Sequence, residues 1–399
     1  MKIFLLITAV LYSIVFCNVS AKSIPENSKM LFWQTGVRKG ANVFNRKVDS
    51  DLIKAAKEYK IGFIRLAPDK FETTQRDFLL GNADNYPGLI SKDLKVLKDI
   101  LDAFHQQKIP VVLTMLSLPG SRWKQNNNDK DDLRLWSDQA FQKQAAKFWQ
   151  DLAKELKDHP AIVGYNILNE PHPERLYNTA DSAIYNVEQS KVQKNLFGFY
   201  SSVVNSVRQV DSETPIILDS SSYADSNTFN KFEPVSDKNV LYSFHIYEPF
   251  TYTNLKLNQG NFAYPGHVQS FDAKKVEYWD KDKLKSYIEP VKIFQKRYNI
   301  PDYKILAGEF GGHRCSKGLE HYFRDLASIF NEYNWHFAVY GFREDIWDGM
   351  DYELGSKKLS WKDWQAIEEG RMKKNYLPNN SIFKILREEW SSQLAGHSS

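Results

Sequence analysis

Eight short, continuously apolar runs recur along this chain with amphipathic stretches between them, and that alternation restricts the fold more than any other feature. The runs are Leu31 to Gly36, Phe63 to Leu66, Pro110 to Met115, Ile162 to Leu168, Ile216 to Leu218, Val240 to His245, Ile305 to Gly308 and Phe337 to Phe342. Strands covered on one side by helices and on the other by barrel packing show this unbroken apolarity rather than a two-residue alternation. The intervening stretches repeat apolar residues at helical spacing. In Phe141 to Leu156 the positions Phe141, Ala145, Phe148, Trp149, Leu152 and Leu156 share a face, Asp138 stands where a cap is needed, and Pro160 stops the chain before the next run. Further helices are expected over 50–59, 92–107, 191–210, 283–298, 319–333 and 382–390, with Pro290 arguing against an unbroken helix around it. The expected fold class is α/β, a (β/α)8 TIM barrel. The connections around 68–91, 118–135, 247–282 and 343–380 are too long for simple turns and should wall a cleft at one rim.

The first 21 residues read differently. Lys2 precedes an apolar stretch from Ile3 to Cys17 that ends in Val19-Ser20-Ala21, the pattern of a cleaved secretory signal. A secreted, extracellular or periplasmic protein is expected, with residues 22–399 as one catalytic domain, no membrane span after cleavage and a monomeric state. A lipid on Cys17 is the alternative use of that cysteine, disfavoured by the bulky Phe16 before it. The only other cysteine is Cys315, so no disulfide can form in the mature chain, and Cys315 is expected inside a helix. The net charge of +4, spread over interspersed basic and acidic residues, gives no basis for binding nucleic acid, whereas an aromatic content of 14% suits stacking on sugar rings.

Two carboxylates follow apolar runs: Glu170 in Ile167-Leu168-Asn169-Glu170-Pro171-His172 and Glu309 in Ile305-Leu306-Ala307-Gly308-Glu309-Phe310-Gly311-Gly312. In a parallel barrel the carboxyl ends of the strands face one rim, where chemistry is exposed. Cleavage of a glycosidic bond needs two such groups, one to protonate the leaving oxygen and one to attack or stabilise the anomeric carbon. Glu344, Asp345 and Asp348 also follow a strand and are the rival carboxylates. No His/Cys group has zinc spacing, and Lys124 to Asp132 lacks the glycine and terminal glutamate of a calcium loop, so it reads as a solvated loop; neither metal nor cofactor is expected.

The motifs Ile-Leu-Asn-Glu-Pro-His, His245-Ile246-Tyr247 and Ala-Gly-Glu-Phe-Gly-Gly, in that order, resemble the cellulase family of retaining glycoside hydrolases, family 5, over roughly Phe63 to Gly355. The resemblance implies that Glu170 is the acid/base and Glu309 the nucleophile of a double displacement. It further implies that Arg65 hydrogen-bonds the nucleophile, that Asn169 meets the sugar 2-hydroxyl, and that His245 and Tyr247 line the reacting subsite. Two departures stand out. Leu116 falls where the family often has a histidine, and the eighth run offers Tyr340 or Phe342, or Trp347 beyond it, where a tryptophan platform is usual. The implied activity is endo-cleavage of β-1,4-linked glucans in a polysaccharide or oligosaccharide. A β-mannanase, an exo-β-glucosidase or β-1,3-glucanase, a glycolipid-cleaving enzyme and a silent carbohydrate-binding barrel are the alternatives.

Overall fold

The structure is a computed structural model that describes residues 29–177, 182–345 and 347–392. The expected signal segment and Cys17 lie outside the described residues. Eight parallel strands close into a barrel: β1 (Lys39–Val43), β2 (Ile64–Leu66), β3 (Val111–Thr114), β4 (Ile162–Asn166), β5 (Ile216–Asp219), β6 (Val240–Ile246), β9 (Ile305–Phe310) and β10 (His336–Val339), with β10 pairing back onto β1. The antiparallel hairpin β7 (Gly266–Gln269) and β8 (Val276–Trp279) lies in the long connection after β6. This is the (β/α)8 architecture.

Seven of the eight apolar runs are strands. The exception is the first: residues Lys29–Gln34 form a short helix, and the strand is Lys39–Val43, Lys-Gly-Ala-Asn-Val. All five of those residues are buried, although only Val43 is a strong strand former. The Leu-Phe-Trp run is apolar for another reason. Its helix plugs the amino-terminal end of the barrel, where Met30 and Trp33 pack on Phe63, Val112, Val163, Ile217, Leu241, Leu306 and Ala338. The Trp33 indole N–H is satisfied by the carbonyl of Val163 at 2.9 Å, so the plug carries no unpaired donor.

The outer helices bury one face each. Helix Gln139–Leu156 begins at Asp138, whose side chain accepts from Ala140 N, and buries Ala145, Phe148, Trp149, Leu152 and Leu156. Trp149 Nε1 donates to the carbonyl of Ile167 at 2.9 Å, which ties the helix to the segment leading into Glu170. Helix Lys281–Tyr298 runs through Pro290 without a break, contrary to expectation. Its length and its buried Leu284, Ile288, Val291 and Phe294 outweigh the one backbone donor a proline removes. Cys315 lies in a turn after β9, half-buried, not in a helix. No described helix is long and apolar enough to cross a membrane.

Candidate active site

Strand geometry sorts the barrel interior into layers. Side chains two apart in extended chain share a face, so Phe63, just before β2, and Arg65 within it, or Ile217 and Asp219 of β5, both point inward, one layer above the other. The lower layer is apolar and the upper is polar. Arg65 is fully buried in that upper layer and spends its donors on five acceptors. Nη1 bonds Glu309 Oε1 at 2.8 Å and Asn42 Oδ1 at 2.9 Å; Nε and Nη2 bond Asn166 Oδ1 at 2.9 and 2.6 Å. Nη2 also reaches Asn169 Oδ1 at 2.8 Å and Asp219 Oδ2 at 3.4 Å. A planar guanidinium held at this many points cannot rotate, so it fixes the position of the Glu309 carboxylate.

Glu170 lies four residues beyond the end of β4, in the left-handed region at φ 52°. A non-glycine residue there carries about 1–3 kcal/mol of strain, which neighbouring hydrogen bonds must offset. The Glu170 N–H donates to Asp219 Oδ2 at 3.2 Å, and the Asn169 N–H to the carbonyl of Met115 at 2.8 Å. The bend aims the carboxyl at the barrel axis, where Glu170 Oε1 meets His245 Nδ1 at 2.9 Å. His245 Nε2 lies 3.6 Å from Asp219 Oδ2, so the imidazole stands between two carboxyl groups. Burial at the cleft floor, and after it the Asp219 charge, push Glu170 up to about 8, although 28% of its side-chain surface stays open to the mouth. The group therefore holds its proton at neutral pH.

Glu309, 4% exposed within β9, is gripped on both oxygens: Oε1 by Arg65, and Oε2 by the Tyr247 hydroxyl at 2.6 Å. Burial pushes it above the usual carboxylate value too, and Glu170 adds to that, but His245, Arg65 and the Tyr247 hydrogen bond all pull it back. The neighbours differ: His245, Arg65 and Tyr247 favour the charged form of Glu309, whereas Asp219 disfavours that of Glu170. Carboxylate oxygens of Glu170 and Glu309 and a ring nitrogen of His245 all lie within 4.8 Å of one another. Those three could in principle face a metal ion. The Arg65 guanidinium on Glu309 and the proton on Glu170 both work against a cation there, and the same spacing is what two-carboxylate sugar chemistry requires.

The carboxylates open into a cleft of about 610 Å³ lined by Asn169, His245, Tyr247, Tyr340 and Trp347 among others. Glu170, Glu309, Asn169, His245 and Tyr247 therefore face this space, and Arg65 supports it from below. Of the proposed platforms, Tyr340 and the 44% exposed Trp347 line the cleft. Phe342 does not: it is 2% exposed and packs on Tyr59 and Trp390. Leu116 does line the cleft, and with Phe44 and Ala67 it forms a small apolar cluster against Trp123 and Tyr340. Its loop is held by Asp69, which accepts from the Leu116 and Ser117 N–H groups at 2.9 and 2.7 Å. Of the rival carboxylates, Glu344 is 3% exposed beside Lys70, Asp345 caps the backbone of Arg46 at 2.8 Å, and Asp348 pairs with Arg314 at 2.6 Å. In the Lys124 to Asp132 loop, Asp132 is buried on Arg134 rather than solvated.

Sequence reasoning missed Asn42, Asn166 and Asp219. Asn42 and Asn166 flank the guanidinium, and their amide N–H groups anchor on the carbonyls of Gly308 at 2.9 Å and Ile217 at 3.2 Å. Asp219 ends Ile216-Ile217-Leu218-Asp219, an apolar run closing on a carboxylate as the glutamate runs do, and that signal could have found it. Gly308 is required by crowding, since a Cβ there would come within 2.6 Å of Ser243 Oγ and 3.0 Å of His245 Nε2.

The family model Cellulase (glycosyl hydrolase family 5) matches residues 27–344. Endoglucanase C of Acetivibrio thermocellus is 22% identical over 302 residues, covering 70% of this chain and 80% of that protein. Endoglucanase C307 of Clostridium sp. (strain F1) matches to the same extent. Among solved structures, the endoglucanase Cel5A from Thermotoga maritima superposes with a TM-score of 0.63 at 14% identity, covering 90% of this chain and 100% of that one. The chain belongs to the cellulase family, glycosyl hydrolase family 5, and is a glycoside hydrolase built on a (β/α)8 barrel.

Proposed function

We propose that this protein is a secreted endo-β-1,4-glucanase that works by double displacement, with Glu170 as acid/base and Glu309 as nucleophile. One observation carries the reading: oxygens of the two carboxyl groups lie within 4.8 Å of one another. An inverting pair stands about 6.5–9.5 Å apart to admit a water between acid and base, whereas a retaining pair stands at about 5–5.5 Å. In the first step Glu309 attacks the anomeric carbon while Glu170 gives its proton to the departing oxygen. In the second, Glu170, now ionised, takes a proton from water as that water cleaves the glycosyl ester on Glu309. Arg65 and Tyr247 favour the charged form of Glu309 and aim it, and Asn169, held by Arg65 at 2.8 Å, presents its amide to the sugar 2-hydroxyl.

Proton NMR of a cello-oligosaccharide digest tests the mechanism: the β-anomer should appear first, and early α-anomer would overturn it. Viscosity and reducing ends measured together on a panel of soluble β-glucans and mannans test endo action and linkage. Export is tested by sequencing the amino terminus of protein recovered outside the cell, expected to begin at Lys22. One feature favours a glycolipid substrate as the second reading. Phe250 lines the cleft, its ring lies 6.1 Å from that of Phe271, and Phe271 (74% exposed), Val276 (64%) and Tyr278 (52%) continue an apolar strip along the hairpin. Faster cleavage of an alkyl β-glycoside with a long chain than of soluble glucan would favour that reading.

A further inference from the structure

The bend at Glu170 has a strained neighbour. In the loop after β5, Ser222, Tyr223 and Ala224 are three consecutive non-glycine residues in the left-handed region, at φ 53°, 62° and 61°. Each such residue costs about 1–3 kcal/mol, so a run of three persists only where surrounding groups hold it. The holding groups come from the segment that follows Glu170. The Ser222 N–H donates to Glu174 Oε2 and the Tyr223 N–H to the carbonyl of Pro171, both at 3.3 Å. Glu174 itself is half-buried in a short turn, Pro173–Leu176, and does not line the cleft. The run it holds lays the Tyr223 ring on the imidazole of His172, with ring centres 4.8 Å apart and planes within 14°. His172 Nδ1 stands 2.9 Å from the carbonyl oxygen of Glu170. A carbonyl only accepts, so Nδ1 carries the hydrogen and donates it. That bond reaches the residue whose φ of 52° aims its carboxyl into the cleft.

We propose that Glu174 is a positioning residue for the acid: its carboxylate holds the left-handed run from Ser222 to Ala224, that run keeps Tyr223 stacked on His172, and His172 holds the bend at Glu170. Each link is a contact between side chain and backbone or between rings, and none passes through the substrate. A residue that served stability alone would lower activity on every substrate alike. Loss of aim at the acid instead hurts most where the departing oxygen most needs a proton. The proposal rests on the assignment of Glu170 as the acid.

A series of substituted phenyl β-cellobiosides tests it, because their leaving groups differ in acidity and hardly in shape. In the wild type kcat/KM should fall gently as the leaving phenol becomes less acidic, and in Glu170→Ala steeply. Glu174→Ala should lie between them, with a loss of about tenfold on the poorest leaving group and within about twofold on the best. Glu174→Gln, whose amide oxygen still accepts from Ser222, should restore the wild-type slope. Tyr223→Ala alters a ring that is 45% exposed and should steepen the slope as Glu174→Ala does, which keeps the test decisive if Glu174→Ala folds poorly. A steep slope in Glu170→Ala beside wild-type slopes in Glu174→Ala and Tyr223→Ala overturns the positioning role alone. An unchanged slope in Glu170→Ala overturns the acid assignment and this proposal with it.

Discussion

The two ends of this barrel are made from the same strands and do opposite things. At the amino-terminal end Trp33 seals a layer of Phe63, Val112, Ile217, Leu241 and Leu306 that contains no charge. Two residues further along the same strands, Arg65 and Asp219 stand in a layer with Asn42, Asn166, His245 and Glu309 where nearly every side chain is polar and buried. Burial in the first layer gives stability with no directional demand. Burial in the second is tolerable because most of its groups find hydrogen-bond partners, His245 Nε2 being an exception, and the partners hold the carboxylates in position. The difference teaches that the fold divides its labour by height within the barrel, with the apolar layer supporting a polar one that would cost free energy on its own.

That contrast can be broken first at Glu309. Glu309→Gln should cut turnover on the order of 10⁴-fold or more while the melting temperature changes little, because the amide is nearly isosteric; kinetics and calorimetry on the same preparation check both. Glu170→Ala should cost about 10²–10⁴-fold on unactivated oligosaccharides and far less on aryl glycosides with good leaving groups, which need no protonation. Equal losses on the two substrate types would place the acid elsewhere. At the other end, Trp33→Ala should lower stability by about 3–5 kcal/mol in denaturant unfolding, yet leave kcat/KM within about twofold well below the melting temperature. A large kinetic defect there would show that the layers are coupled.

The smallest effect concerns pH. Glu170 must carry a proton to act as acid, and with its value at about 8 activity should persist through neutrality and fall as pH rises through that point. Asp219 holds the proton on by its negative charge, after burial as the first cause. In Asp219→Asn that charge is gone, so Glu170 ionises at lower pH and the alkaline limb of kcat/KM moves down. A limb that stays in place would mean that burial alone sets it.

Both carboxylates and seven of the strands were legible because the signal is local: an apolar run, then a charged residue where the strand meets the rim. The first strand was not. Lys39-Gly40-Ala41-Asn42-Val43 is buried through its place between β10 and β2, with Lys39 paired to Glu389 at 2.7 Å and Asn42 to Arg65, and neither partner is near in sequence. The Leu31-Phe32-Trp33 run mimics a strand because a plug helix buried in the barrel end needs the same apolarity. Asp219 carries the same local signal, an apolar run closing on a carboxylate, but its role is set by side-chain contacts from β2, from β4 and the loop after it, and from β6.

What the sequence determined by itself is the alternation that commits the chain to a parallel barrel, and the rim to which Glu170 and Glu309 belong. Tertiary structure alone decided how far apart their oxygens stand and which charged groups face each of them. Periodicity is a property of neighbours along the chain. Acidity is set by charge, solvent and hydrogen bonds within a few ångströms, and in a closed barrel those come from strands more than 40 residues away.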